Sequence, residues 1–271
     1  MELNQKYENL KNQIASYGRV VVAFSGGVDS SFLLKVCHDV LGDKVIAVTA
    51  TSATYPEREF LGAQALCVQY GIKQMAVVSE ELEIEGFSDN PPNRCYLCKK
   101  ELFTKIWDIA KQHGISYVLE GSNVDDLGDY RPGMLAITEL GVSSPLKDAA
   151  LTKAEIRTLS KQLGLSTYNK PSFACLSSRF PYGTKITREK LKMIDLAEKY
   201  LLDLGFYQVR VRIHGDLARI EVGQDEVHKM FENGQNVQIT QAFKGFGFAY
   251  VTVDTLGYRT GSMNEVLLQT L

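Results

Sequence analysis

A run of serines and glycines, Ser25-Gly26-Gly27-Val28-Asp29-Ser30-Ser31, follows directly on the apolar stretch VVVAF at 20–24. It leads into residues 29–41, whose apolar side chains recur at helical spacing and stop at Gly42. The pattern predicts a buried strand, a tight turn and a helix in immediate succession. Glycines let such a turn bring its backbone close to an oxyanion. The amides of Gly26, Gly27 and the first helical turn point at the anion, and the helix dipole favours negative charge there. Ser25, Ser30 and Ser31 add hydroxyl donors, and Asp29 is placed to hold a magnesium ion beside bound phosphates. A plain turn with a Ser or Asp cap is the alternative; the position after the first strand and the full six-residue pattern favour phosphate. The loop lacks the Gly-x4-Gly-Lys-Ser/Thr of a Walker loop.

Strand and helix go on alternating. VIAVTA (45–50) reads as a second strand, followed by a helix from about Pro56, a residue suited to a first helical position, to near Gly71. KQMAVVS (73–79) is a third strand, and the acidic, proline-bearing stretch 80–95 a long loop. A helix over 96–113, the strand SYVLEG (116–121), a helix at 131–140 and another at 152–164 follow, the last opening with a Thr152-x-x-Glu155 capping box. Helices of this length between strands imply right-handed crossovers and an α/β fold with a doubly wound, mostly parallel sheet. Ligands of such sheets bind beyond the carboxyl ends of the strands.

After about residue 180 the pattern changes. A helix (187–204) leads to YQVRVRIH (207–214), where Val209, Val211 and Ile213 share one face and Arg210, Arg212 and His214 the other. Gly215-Asp216 turns the chain back into LARIEV (217–222), a hairpin. Helix at 224–232 and on to about 243, then a strand at 248–254, complete a smaller α+β domain. The expected domains are 1–180 and 181–271.

Composition narrows the function. A chain of 271 residues with 30 Lys+Arg against 32 Asp+Glu has a net charge of −2 and no basic run, which disfavours nucleic acid as a partner. No apolar run approaches the ~20 residues of a membrane helix, and the polar N-terminus reads as an amphipathic helix and not as a signal peptide. A cytoplasmic protein is expected. The cysteines number five, an odd count that argues against a disulfide framework. Cys37 and Cys67 lie in apolar helical patterns and read as core residues. Cys95-Tyr96-Leu97-Cys98 sits at a loop-to-helix junction, where thiolates are often reactive or metal-bound. One Cys-x-x-Cys leaves zinc, redox and iron–sulfur chemistry open. Cys175 lies in PSFACLSSRFPYG (171–183), placed by the predicted topology at the same sheet edge. Three thiolates without a fourth ligand suit a [4Fe–4S] cluster with one open iron; a redox pair plus an unrelated cysteine is the alternative.

The Ser-Gly-Gly-Val-Asp-Ser loop resembles the pyrophosphate loop of the N-type ATP pyrophosphatases, among them GMP synthetase, NAD synthetase and several tRNA-thiolating enzymes. The resemblance implies that a substrate oxygen attacks the α-phosphorus of ATP, pyrophosphate leaves and a nucleophile displaces AMP. EGSNVDDLGDYRPG (120–133) is similar to that group's second active-site segment, which makes Gly121, Asn123, Asp125 and Asp129 candidates for nucleotide or magnesium contacts. An ordinary acidic loop is the alternative for each.

Taken together, SGGVDSS, NPPNRCYLCKKELF, DDLGDYRPG, CLSSRFPYG, AEKYLLDLGFYQVRVRIHGDLARIE and GYRTGSMNE closely resemble the LarE family of ATP-dependent sulfur-insertion enzymes along the whole chain. The resemblance implies adenylation of a carboxylate of a pyridinium-dicarboxylate mononucleotide, then displacement of AMP by sulfur. It implies ATP and Mg2+ as cofactors and a homo-oligomer. Members with a lone cysteine at the place of Cys175 give up its sulfur and keep dehydroalanine. Members with two more cysteines hold a [4Fe–4S] cluster that binds sulfide. Cys95 and Cys98 put this chain with the second group, with Cys175 as a third ligand. Arg179 is then a candidate to stabilise developing charge at phosphate or carboxylate. Arg210 and Arg212 are candidates to clamp the substrate phosphate, a solvated strand face being the alternative. Glu198 and Glu221 are structural partners or magnesium ligands of that pattern. Arg259, in Gly257-Tyr258-Arg259-Thr260-Gly261, is a further phosphate candidate. A tRNA thiolase would want a basic RNA-binding surface, an amide-forming ligase an ammonia source, and a nucleotide sensor would bind ATP without releasing pyrophosphate.

Overall fold

The computed structural model describes residues 1–128 and 132–264 and divides the chain into two compact units. The first comprises Met1–Ile84 and Pro92–Ser172, the second Glu85–Pro91 and Phe173–Leu271. The second unit thus draws a short segment from inside the stretch read as a loop.

In the first unit α1 (Leu3–Tyr17), β1 (Val20–Ala23), α2 (Val28–Leu41), β2 (Val45–Thr51), α3 (Glu57–Tyr70), β3 (Lys73–Val78), α4 (Arg94–Gln112) and β4 (Val118–Leu119) alternate as expected. The helices α5 (Gly133–Glu139), α6 (Pro145–Asp148) and α7 (Lys153–Gln162) follow. The sheet is parallel throughout, in the order β3-β2-β1-β4. Its side chains alternate between two cores. Val20, Val22, Val45 and Ala47 pack with Leu10, Ile14, Leu33, Leu34, Ile156 and Leu159 on one face. Val21, Ile46 and Val48 pack with Phe103, Ile106, Ala110 and Ile137 on the other. Burial on both faces explains the continuous apolar runs of β1 and β2, and it makes the fold α/β and doubly wound.

Chain order reverses at β1, which pairs with β2 on one side and β4 on the other. A crevice opens at such a switch point, beyond the carboxyl ends of the two strands. The strand expected over 116–121 is paired only at Val118–Leu119, and Glu120 passes its backbone N–H to Ser143 before the chain turns away. Cys95 lies within the first turn of α4, one residue inside the helix, and not in the preceding loop.

The second unit holds a 3-10 turn at Leu176–Arg179, α8 (Arg188–Asp203), the antiparallel hairpin of β5 (Val209–His214) and β6 (Leu217–Val222), α9 (Gln235–Phe246) and β7 (Tyr250–Val253). β7 joins β6 in parallel, so this smaller sheet runs β5-β6-β7. Residues 224–231, read as ordinary helix, form a 3-10 helix instead. Among the described residues no helix is long and apolar enough to cross a membrane.

Candidate active site

The candidate residues fall into two sets, one in each unit. In the first unit β1 ends at Ala23, Phe24 gives one further hydrogen bond to Val48, and Ser25, Gly26 and Gly27 carry the chain into α2. Gly26 has φ +66°, in the region glycine favours, and a Cβ there would stand 3.2 Å from Cβ of Ala63 on α3. Ser25 and Ser30 hold the loop closed, with hydroxyl oxygens 3.1 Å apart and the Ser25 N–H donating to Ser30 Oγ at 3.3 Å. Ser31 is fully buried in the first turn of α2, and its hydroxyl has no partner among the described residues.

Gly121 backs onto this turn: a Cβ there would lie 3.0 Å from the Ser30 backbone nitrogen, so a side chain would crowd the start of α2. Two residues on, Asn123 is buried and donates from Nδ2 to Asp29 Oδ1 at 3.2 Å. The other oxygen of Asp29 takes the ammonium of Lys153. Asp125 accepts the backbone N–H of Lys153 at 2.8 Å, and so helps to anchor the start of α7. The capping box of that helix forms as read from Thr152 and Glu155. Asp129 lies outside the described residues. Lys153 was missed in the sequence, although the capping box that fixes its position was legible.

Cys37 and Cys67 are buried, and burial pushes the first thiol far up and the second to about 11. Cys95 is exposed and Cys98 half-buried. Cys98 Sγ lies 3.9 Å from Oε1 of Glu81, a buried carboxyl that desolvation pushes up. Among the described residues no three of His, Cys, Asp and Glu are grouped to hold a metal ion.

In the second unit Cys175, half-buried, caps the 3-10 turn that ends at Arg179. Arg179 is wholly buried. Its Nε and Nη2 bind both oxygens of Glu198 at 2.8 and 2.9 Å, and Nη1 donates to the carbonyls of Ala174 (2.7 Å) and Cys175 (3.2 Å) and to Ser178 Oγ (2.8 Å). Burial alone would destabilise both charges; their mutual attraction outweighs it, holding Glu198 below and Arg179 above their usual ranges.

Arg210 and Arg212 do not face solvent. Both are about 95% buried, at 5% exposure, because the segment following β7 covers the polar face of β5. Arg212 reaches Glu221 Oε2 at 2.9 Å, the Ser178 carbonyl at 3.0 Å and Ser262 Oγ at 3.3 Å, while its buried Nε has no partner among the described residues. Arg210 stacks on Tyr258, and burial together with neighbouring Arg179 pushes it down to about 10. Arg219 also binds Glu221, at 3.0 Å, and Arg259 binds Asp254 at 3.3 Å. Among the described residues Arg179 pairs with Glu198, Arg212 and Arg219 share Glu221, and Arg259 pairs with Asp254. Of these arginines Arg179, Arg210 and Arg212 are buried, and a buried guanidinium with a free N–H suits an anion.

Residues 2–89 match the family model described as NAD synthase. The chain is 40% identical over 250 residues to the pyridinium-3,5-bisthiocarboxylic acid mononucleotide synthase of Lactiplantibacillus plantarum, covering 92% of this chain and 90% of that one. It is 43% identical over 265 residues to an uncharacterized protein of a Synechocystis species, covering 98% and 99%. A more distant likeness, 28% over 248 residues, is to one of the subunits of a glutamine-hydrolyzing GMP synthase from Sulfurisphaera tokodaii, covering 80% of this chain and 66% of that one. With the phosphate loop at the switch point of a parallel sheet and this identity along nearly its whole length, the chain belongs to the LarE family of sulfur-inserting enzymes.

Proposed function

We propose that this protein uses ATP to adenylate a carboxylate of pyridinium-3,5-biscarboxylic acid mononucleotide and then exchanges AMP for sulfur, giving a thiocarboxylate. The observation that carries the reading is the buried guanidinium of Arg212, whose Nε has no partner among the described residues. It supports a phosphate-bearing ligand at Arg210 and Arg212, with Arg259 contributing charge. The phosphate loop supports ATP at Ser25, Gly26, Gly27 and Ser30. The name of the Lactiplantibacillus relative supports the choice of substrate.

The chemistry follows from these groups. A carboxylate oxygen attacks the α-phosphorus, and pyrophosphate leaves with the electron pair of the broken P–O bond. Loop amides stabilise the charge that gathers on phosphate oxygens. Asp29 would take a magnesium ion by exchanging the Lys153 ammonium that pairs with its Oδ2. A sulfur nucleophile then adds to the acyl carbon and AMP departs.

Cys95, Cys98 and Cys175 are the accessible thiols, and thiolates are the ligands a [4Fe–4S] cluster takes, although the described residues do not group the three to hold a metal ion. When bound, such a cluster supplies an open iron that takes up sulfide. The second reading, favoured by the clamp of Arg179 on the Cys175 turn, is sacrificial. There the Cys175 sulfur forms a thioester, and loss of its α-proton with cleavage of Cβ–S releases the thiocarboxylate and leaves dehydroalanine. Iron and acid-labile sulfide on protein reconstituted without oxygen decide between them. About four irons per chain, lost in Cys95→Ala, is the expected result; no iron after reconstitution leaves the sacrificial route.

Asp29→Asn tests the adenylation half. It keeps the side chain's size and removes the charge that attracts the cation. Substrate-dependent pyrophosphate release is expected to fall by about 100-fold or more with little change in thermal stability. Release at the wild-type rate would remove Asp29 from the reaction.

A further inference from the structure

Two side chains hydrogen-bond successive carbonyls of the phosphate loop. The Tyr55 hydroxyl donates to the Ser25 carbonyl at 2.7 Å, and the Lys170 ammonium donates to the Gly26 carbonyl at 3.0 Å. We propose that Tyr55 and Lys170 are positioning residues for ATP, which fix two successive peptide planes of the loop so that the amides of Gly26 and Gly27 face the pyrophosphate.

A trans peptide is planar, with its C=O and N–H pointing opposite ways. Fixing the Ser25 carbonyl therefore aims the Gly26 N–H, and fixing the Gly26 carbonyl aims the Gly27 N–H. Glycines have few preferences of their own, so without such restraints these planes rotate easily and the anion-binding conformation must be selected at an entropic cost. Preorganised donors avoid that cost.

Lys170 is built for this task and not for direct contact with phosphate. Its charge is partnered by Glu59 at 2.6 Å, in the first turn of α3, the same helix whose Ala63 packs on Gly26. Its backbone is fixed as well: Arg157 of α7 donates to the carbonyls of Tyr168 at 2.8 Å and Lys170 at 2.9 Å. Tyr55 is held beside Glu59, and burial with that carboxylate raises its hydroxyl, keeping it a donor at any working pH.

The inference rests on the nucleotide reading of the loop, and the test separates the two. Binding of Mg-ATP, inorganic pyrophosphate and adenosine is measured by calorimetry on the full chain, with thermal stability recorded alongside. Tyr55→Phe and Lys170→Met are each expected to weaken ATP and pyrophosphate about tenfold, the scale of one well-placed hydrogen bond, and to leave adenosine unchanged. Lys170→Arg, which keeps a cationic donor, is expected to recover most of the loss. Tyr55→Phe removes one oxygen and keeps the ring, so it is informative even if Lys170→Met folds poorly. Unchanged pyrophosphate affinity in Tyr55→Phe and in folded Lys170→Met would reduce the two contacts to staples and overturn the proposal. A wild-type protein that binds neither ATP nor pyrophosphate would instead overturn the nucleotide reading itself.

Discussion

Glu198→Ala is expected to destabilise the protein by about 3–5 kcal/mol, the range for removing one partner of a buried ion pair. The size comes from what is stranded. Arg179 has no exposed surface and donates to both oxygens of Glu198, and the backbone N–H of Val211 on β5 donates to the same carboxylate at 2.9 Å. Truncation leaves a charge and an amide in a dry interior. Denaturant melts at neutral pH read the loss. Arg179→Met in the same background is expected to return part of it, because the uncompensated charge then goes too. If Glu198→Ala costs less than about 1 kcal/mol, water reaches the pair and the interior is not dry.

The pair also sets a pH dependence. The Glu198 carboxyl sits below its usual range in the folded protein, so its contribution is complete above the unfolded pKa near 4.5 and fades as pH falls through the lowered folded value. Glu198→Gln, which cannot titrate, should lose stability less steeply with acid than the wild type. An identical acid profile would assign the acid sensitivity to other carboxylates.

The first unit was legible because its signals are local. Glycines follow closely on β1, within the phosphate loop, and apolar period and length distinguish β1 and β2 from the helices that cover them. The buried arginines were not legible in the same way. Arg210 and Arg212 alternate with Val209, Val211 and Ile213, a pattern that reads equally as a wet face or as one covered by polar groups. Their cover comes from Tyr258 and Ser262, some fifty residues later, and these carry no apolar signal. Distance along the chain hides other parts too. Lys153 meets Asp29 across 124 residues, and Lys170 meets Gly26 across 144. Neither lysine differs in local pattern from one on a solvated surface. The position of Cys95 depended on a single residue at a helix start, the least determined feature of any sequence reading.

Cys175→Ala is expected to cut thiocarboxylate formation by at least about 1,000-fold, as loss of an essential nucleophile does, while substrate-dependent pyrophosphate release continues. The separation follows from the placement of the groups. In the proposed reaction adenylation draws on the loop and Asp29 of the first unit, whereas Cys175 belongs to a turn in the second, fixed by Arg179 through the carbonyls of Ala174 and Cys175. Removing the thiol leaves those backbone contacts in place, so the turn and the arginine network keep their form and stability should change by less than about 1 kcal/mol. Cys95→Ala supplies the decisive contrast. If all three thiols serve sulfur delivery together, it should lose multiple turnovers as fully as Cys175→Ala does. If Cys175 acts alone, Cys95→Ala should complete its single turnover, after which Cys175 is lighter by the mass of one hydrogen sulfide. Wild-type thiocarboxylate yield from Cys175→Ala would remove this residue from either route and leave the sulfur to be delivered from outside the chain.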